Sequence, residues 1–188
     1  VGSGIELARM VSANLKNKPR VTVFKNFGTA MLKYKDLEIE FVGARKESYQ
    51  PDSRKPIVEN GTIEDDQNRR DFTINAIYVD SDGTLYDPVG GLADLKEKKI
   101  RFIGDADARI REDYLRILRY VRFVITIADG VFDREAIAAC IANKKGIEQL
   151  SGERISQELF KILATPYSHE AIEQLVPLMP ADLSFPYR

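Results

Sequence analysis

The chain has 188 residues, with 28 Lys and Arg against 29 Asp and Glu, 44% hydrophobic and 30% charged side chains, 12 Gly and 8 Pro. These proportions exclude disordered, collagenous and low-complexity classes and predict a soluble globular protein, long enough for one ordinary domain or two small ones. With a net charge of −1, any binding to nucleic acid has to rest on a local patch.

Ser3 followed three places on by Glu6 has the form of a capping box, and Ile5, Leu7, Ala8, Met10, Val11 and Leu15 then predict a helix over 4–17. Residues 21–25 and 28–34 are rich in Val, Phe and Tyr around a bend at Asn26-Phe27-Gly28, and 37–45 alternates, so strands are expected there. In the last of them Leu37, Ile39 and Phe41 face one way and Glu38 and Glu40 the other. From Lys46 to Asn68 the pattern disappears, which predicts a long functional or disordered loop. Phe72 to Val79 reads as a strand ending in the turn Asp80-Ser81-Asp82-Gly83, with Leu85 and Tyr86 pairing back across it. Asp87-Pro88-Val89-Gly90-Gly91 is a second turn, Leu92 to Lys98 a short polar helix, and Ile100 to Ile103 one more strand. After Gly104 the period becomes 3.6, and Ile110, Tyr114, Ile117, Leu118, Val121 and Ile125 form one stripe of a helix. Helices also suit 133–143, 153–164 and 168–176, while Pro177 to Arg188 has no period and reads as a cut edge or linker.

Cys140 is the single cysteine and His169 the single histidine, which excludes a disulfide framework, a Cys/His zinc site and a histidine-based triad. What remains is carboxylate chemistry. No apolar run approaches the roughly 20 residues of a membrane span and no signal peptide opens the chain, so with a lone thiol the expected location is cytoplasmic, without a membrane partner. The run Glu64 to Asp71 places two guanidiniums and a carboxylate at the mouth of the expected sheet, where Arg69 and Arg70 suit phosphate oxygens and Asp71 a ribose hydroxyl. A solvated charge run explains the same residues. Asp113 and Arg116, three apart on the expected helix, share a polar sector with Arg109. They suit either an intrahelical ion pair or a base edge, since cytosine and adenine each offer an amino group beside an acceptor.

The string Arg69-Arg70-Asp71-Phe72-Thr73-Ile74-Asn75-Ala76, then Asp87-Pro88-Val89-Gly90-Gly91, then Glu112-Asp113-Tyr114-Leu115-Arg116 resembles the class II nucleotidyltransferases, the group of the tRNA CCA-adding enzymes and bacterial poly(A) polymerases. Glu153-Arg154-Ile155 through Glu158-Leu159 is similar to that family's neck helix. The resemblance implies an α+β fold: a nucleotidyltransferase-type mixed β-sheet head over 1–104 with flanking helices, then an all-α neck over 105–188 that recognises the nucleotide. It implies Mg²⁺ as cofactor, held by three carboxylates, with the tRNA 3′ end, CTP and ATP as partners. Glu40, five residues before Arg45, matches the third carboxylate, with Glu38 a bystander. The family's aspartate pair precedes a Gly-Ser-Gly turn like Gly2-Ser3-Gly4, so the head is expected to lack its first β-hairpin and the chain as given to be inactive. The resemblance further implies Arg70, Asp71, Asn75, Asp113, Arg116 and Arg119 as nucleotide-binding residues, and Asp87, Gly90 and Gly91 as a hinge, a role a plain turn also explains. It places Arg54 and Lys55 in a flexible loop, within reach of a triphosphate or of the neck. CCA, CC or A addition, poly(A) synthesis and a non-catalytic nucleotide- or RNA-binding fragment all remain open.

Overall fold

A computed structural model describes residues 3–25, 28–43, 45–50 and 53–179, so Gly2, the Asn26-Phe27 bend and the tail from 180 lie outside the described residues. The chain folds as two compact units, Val1–Arg69 and Arg70–Arg188, with 70–104 packed as part of the second.

In the first unit α1 (Gly4–Asn14) precedes β1 (Val21–Phe24), β2 (Thr29–Tyr34) and β3 (Leu37–Val42), which pair antiparallel in the order β1-β2-β3. Ser3 occupies the N-cap position with extended backbone but makes no side-chain cap bond, so the expected capping box is not formed. α1 ends at Asn14, short of the expected 17, and Ser12 Oγ donates to the Pro19 carbonyl at 2.6 Å to close the turn beyond it. The sheet register places Leu32 opposite Val21 and Ile39, and Ala30 opposite Val23 and Phe41. Ala30 and Leu32 are buried together with Ala8 of α1, which makes this the inner face. A Cβ at Gly4 would lie 2.7 Å from the Phe41 carbonyl oxygen, so the helix starts at a close backbone approach to β3 that only glycine allows. Glu38 and Glu40 lie on the opposite, exposed face, as the alternation predicts.

The stretch expected as a loop is instead ordered. β4 (Arg45–Gln50) pairs antiparallel with β5 (Ser53–Asn60), and α2 (Ile63–Arg69) follows. The ladder is made by backbone groups and needs no apolar alternation, and Pro56 is tolerated because each strand of a two-stranded sheet is an edge.

The second unit also departs from its expected strand over 72–79. Phe72 forms only an isolated bridge with Phe102, Thr73–Asn75 turns as a 3-10 helix, and regular pairing resumes in β6 (Tyr78–Val79) with β7 (Leu85–Tyr86). The cause is local: Asp71 accepts the amide of Asn75 at 2.8 Å and the N–H of Phe72 at 2.9 Å, drawing the backbone out of the extended state. Likewise Ile100 to Ile103 contributes the Phe102 bridge and no longer strand. Next come α3 (Gly91–Lys96), α4 (Ala106–Glu112), α5 (Leu115–Ile127), α6 (Arg134–Asn143), a 3-10 segment Lys144–Gln149, α7 (Gly152–Leu163) and α8 (Ser168–Leu175). The single helix expected after Gly104 is therefore two, because Asp113 adopts an extended backbone at φ −155°. The apolar stripe survives the break: Ile110, Ile117, Leu118, Val121 and Ile125 are all buried, in a core shared with Phe72, Phe102 and Tyr120. Tyr114 packs flat beside Gly146, where a Cβ would collide with its ring. No helix among the described residues is long and apolar enough to cross a membrane.

Candidate nucleotide-binding site

α5 presents Arg116 and Arg119 three residues apart, and therefore on one face. Each is gripped by a carboxylate from another element. Arg119 Nε donates to Asp71 Oδ2 at 2.5 Å, and its guanidinium lies 5.5 Å from the Phe123 ring centroid. Asp71 is 7% exposed. Its burial alone would raise the carboxyl pKa, yet the hydrogen bond and charge of Arg119, with the Asn75 amide and the Phe72 N–H, hold it below the ordinary carboxylate value. Asn75 in turn accepts Arg70 Nη1 on its carbonyl at 2.6 Å, and Arg70 lies 5.3 Å over the ring of Tyr78. Arg70, Asp71, Asn75 and Arg119 thus form one connected group, in which the oxygens expected to meet a ribose are engaged within the protein.

The second group surrounds the α4–α5 break. Asp113 and Arg116 do not project from a continuous helix as expected: Asp113 caps α4 in extended conformation, and Arg116 is in the first turn of α5. Asp113 Oδ1 accepts the Leu115 N–H at 3.2 Å, and Oδ2 accepts Arg154 Nη2 at 2.8 Å from the first turn of α7. The Arg116 side chain, 11% exposed, donates to Glu112 Oε2 and to the Arg109 carbonyl, both at 2.8 Å. Glu112 Oε1 also accepts Arg109 Nη2, so one carboxylate orients two guanidiniums. Glu112 stands at helical ion-pair spacing from both Arg109 and Arg116, a signal already present in the sequence. Arg154, 41 residues from its partner, leaves no local signal.

The Asp87 turn has a fixing role in this fold. Asp87 accepts the N–H groups of Gly91 at 2.7 Å and Leu92 at 2.8 Å, which start α3, while Gly90 takes φ +77°. A Cβ at Gly91 would collide with the Thr73 carbonyl, so α3 packs directly on the 3-10 turn. Below it Asp94, buried, accepts Thr73 Oγ1 at 2.5 Å and Arg101 Nε at 2.8 Å.

In the first unit Glu40 lies opposite Met31, whereas Glu38 lies opposite Lys33, with a charge separation of 4.0 Å. Among the described residues no group of three His, Cys, Asp or Glu could hold a metal ion, so these residues do not complete a cation site. Arg54 and Lys55 fall on β5, and their side chains lie outside what is described.

Residues 4–101 match the family described as "Poly A polymerase head domain", and 132–186 match "Probable RNA and SrmB- binding site of polymerase A". The mitochondrial CCA tRNA nucleotidyltransferase 1 of Mus musculus is 50% identical over 115 residues, covering 60% of this chain and 26% of its own length. The CCA-adding enzyme of Geobacillus thermodenitrificans is 36% identical over 157 residues, covering 82% of this chain and 39% of its own. A tRNA nucleotidyltransferase crystallised with a primer tRNA and an incoming ATP analogue superposes with a TM-score of 0.77 at 32% identity, over 93% of this chain and 48% of that one. The chain therefore spans less than half the length of each of these relatives. With more than half its residues matched by the head-domain family and its helices continuing in the same fold, the chain belongs to the class II nucleotidyltransferases.

Proposed function

We propose that this chain supplies the head (to about residue 104) and neck of a tRNA nucleotidyltransferase that adds CCA, or CC or A alone, to tRNA 3′ ends from CTP and ATP. The observation that carries the reading is the pair of independently braced groups at the α4–α5 break, Asp113 on Arg154 and Arg116 on Glu112. A carboxylate has about four lone-pair directions, and Asp113 spends one on a backbone N–H and one on Arg154, which leaves acceptor capacity for an exocyclic amino group. Arg116 donates beside it to a ring nitrogen or carbonyl. Cytosine and adenine fit such a pair, whereas uracil and guanine present the wrong edge. Arg70 serves the phosphates, and Asp71, Asn75 and Arg119 hold it in place.

Nucleotidyl transfer of this kind uses Mg²⁺ as Lewis acid. Glu40 is the ligand we assign to it, because it stands on the open sheet face away from any cation across the strand, while Glu38 is paired with Lys33. One carboxylate does not make a two-metal site, so a polypeptide of these 188 residues is expected to bind nucleotides without transferring them. A reducing, cytoplasmic compartment fits the single buried thiol.

The test is titration of the chain with CTP, ATP, UTP and GTP. Tighter binding of CTP and ATP, lost in Asp113→Ala, supports the reading, and equal affinity for all four refutes it. The descriptions of both matched families favour a second reading, a poly(A) polymerase. Selection of ATP over CTP would decide for that one.

A further inference from the structure

β6 and β7 form a hairpin of two residue pairs, Tyr78 opposite Tyr86 and Val79 opposite Leu85. Directly paired residues share a face, so the tyrosines lie on one side and the aliphatic pair on the other. The Tyr78 and Tyr86 ring centroids are 6.2 Å apart, tilted by 38°. Tyr86 is 47% exposed, Leu85 57% and Val79 67%, more apolar surface than a two-pair hairpin needs for its own packing. Arg70 lies 5.3 Å over the Tyr78 ring and is held there by the Asn75 carbonyl, so a fixed cation stands at one end of the aromatic pair. The turn that closes the hairpin is acidic. Asp80 and Asp82 close the turn by accepting the N–H groups of Ser81 and Thr84.

We propose that the Arg70–Tyr78–Tyr86 ladder is a stacking platform for an unpaired nucleobase of a single-stranded RNA end. A planar base fits the exposed tyrosine face, and its phosphate is drawn to Arg70 and repelled from the Asp80–Asp82 turn. Tyrosine stacking tolerates any base, so the platform serves to hold a strand, while selection belongs to Asp113 and Arg116. Bases inside a duplex are covered on both faces by their neighbours, so an unpaired, unstacked base is the better fit. The proposal rests on the reading of RNA as the substrate; it shares Arg70 with the phosphate role given above and adds the two tyrosines, which nucleotide selection does not require. A base uses the tyrosine face alone, so the Val79–Leu85 face serves as the control.

The experiment uses the 188-residue chain and a short single-stranded oligoribonucleotide with 2-aminopurine at its 3′ end, whose emission is unobscured because the chain has no tryptophan. Binding should quench the probe. Tyr86→Ala and Tyr86→Leu should each weaken binding by about ten- to a hundredfold and abolish the quenching, the usual scale for one stacked base. Tyr86→Phe, which keeps the ring, and Leu85→Ala, on the other face, should stay within about twofold of the parent by the same reasoning. Leucine preserves the strand's apolar bulk, so its loss of binding is not a loss of fold. Unchanged affinity in Tyr86→Leu overturns the proposal, as does an equal loss in Leu85→Ala, which would show that binding does not depend on the tyrosine face. A chain that selects CTP and ATP but fails to quench the probe refutes the platform alone. One that quenches the probe but binds all four nucleotides equally refutes the proposed function and leaves the platform standing.

Discussion

Asp71→Asn tests whether the buried carboxylate is the brace of the second unit. It is 7% exposed and accepts from Phe72, Asn75 and Arg119. Asparagine keeps one acceptor oxygen, loses the charge and sets an N–H against the Arg119 guanidinium. Removing one member of a buried pair costs about 3–5 kcal/mol, and since the Arg119 side chain retains 29% exposure we expect about 2–3 kcal/mol at pH 7. The folded carboxyl lies below the ordinary value of about 3.9, so between those two pH values the unfolded chain holds more protons and stability rises with pH. The contribution of Asp71 is therefore complete above about pH 4 to 5 and is lost as pH falls through its depressed folded value. Urea unfolding followed by circular dichroism from pH 7 down to acid should show a constant penalty for Asp71→Asn that shrinks only below about pH 4. In combination with Arg119→Leu the double variant should cost less than the sum of the singles, by about 1–3 kcal/mol at neutral pH. A penalty that persists unchanged into acid, or strict additivity, would refute the brace.

Ile117→Ala removes a fully buried side chain and should cost about 2–5 kcal/mol, read as a lowered urea midpoint. Arg116→Ala should cost about 1–2 kcal/mol, because it removes a nearly buried guanidinium that donates to Glu112 Oε2 and to the Arg109 carbonyl, although Glu112 keeps Arg109. Gly91→Ala drives a methyl into the Thr73 carbonyl and should destabilise by about 1–3 kcal/mol, whereas Gly28→Ala, with open space around it, pays only for its positive φ. Burial pushes the Cys140 thiol up to about 12, so it should resist disulfide-exchange reagents at pH 8 until the chain is unfolded. Rapid labelling of the native chain would contradict that.

What the sequence made legible follows the range of the force involved. The stripe from Ile110 to Ile125 could be read because burial acts on every third or fourth residue, and it survived the break at Asp113 because the core on either side is continuous. The break could not be read, since it is made by a single residue whose carboxylate is taken by Arg154 of α7. The β4–β5 hairpin escaped because backbone ladders need no apolar alternation, and the curl over 73–75 because Asp71 and Asn75 outweighed a β-prone run. Pairs within a helical turn, such as Glu112 with Arg109 and Arg116, lay open to inspection. Asp71 with Arg119, 48 residues apart, did not.

The same pairing resolves a tension in the composition. A net charge of −1 argues against a site that works by a basic field, yet the candidate site holds Arg70, Arg109, Arg116, Arg119 and Arg154. Four of these arginines are paired with three carboxylates: Arg109 and Arg116 share Glu112, Arg119 has Asp71, and Arg154 has Asp113. A paired guanidinium contributes little to the field at a distance, because the carboxylate beside it cancels its charge and salt screens what remains beyond about 8–10 Å. It gains a fixed direction instead, since the pair selects one rotamer from many. Recognition by such groups depends on matching donors to a base edge at contact range and gains little from drawing polyanions in from solution. A chain with near-zero net charge can therefore read nucleotides, and its selectivity should be lost by disturbing Glu112 or Arg154 as surely as by removing the residues they hold.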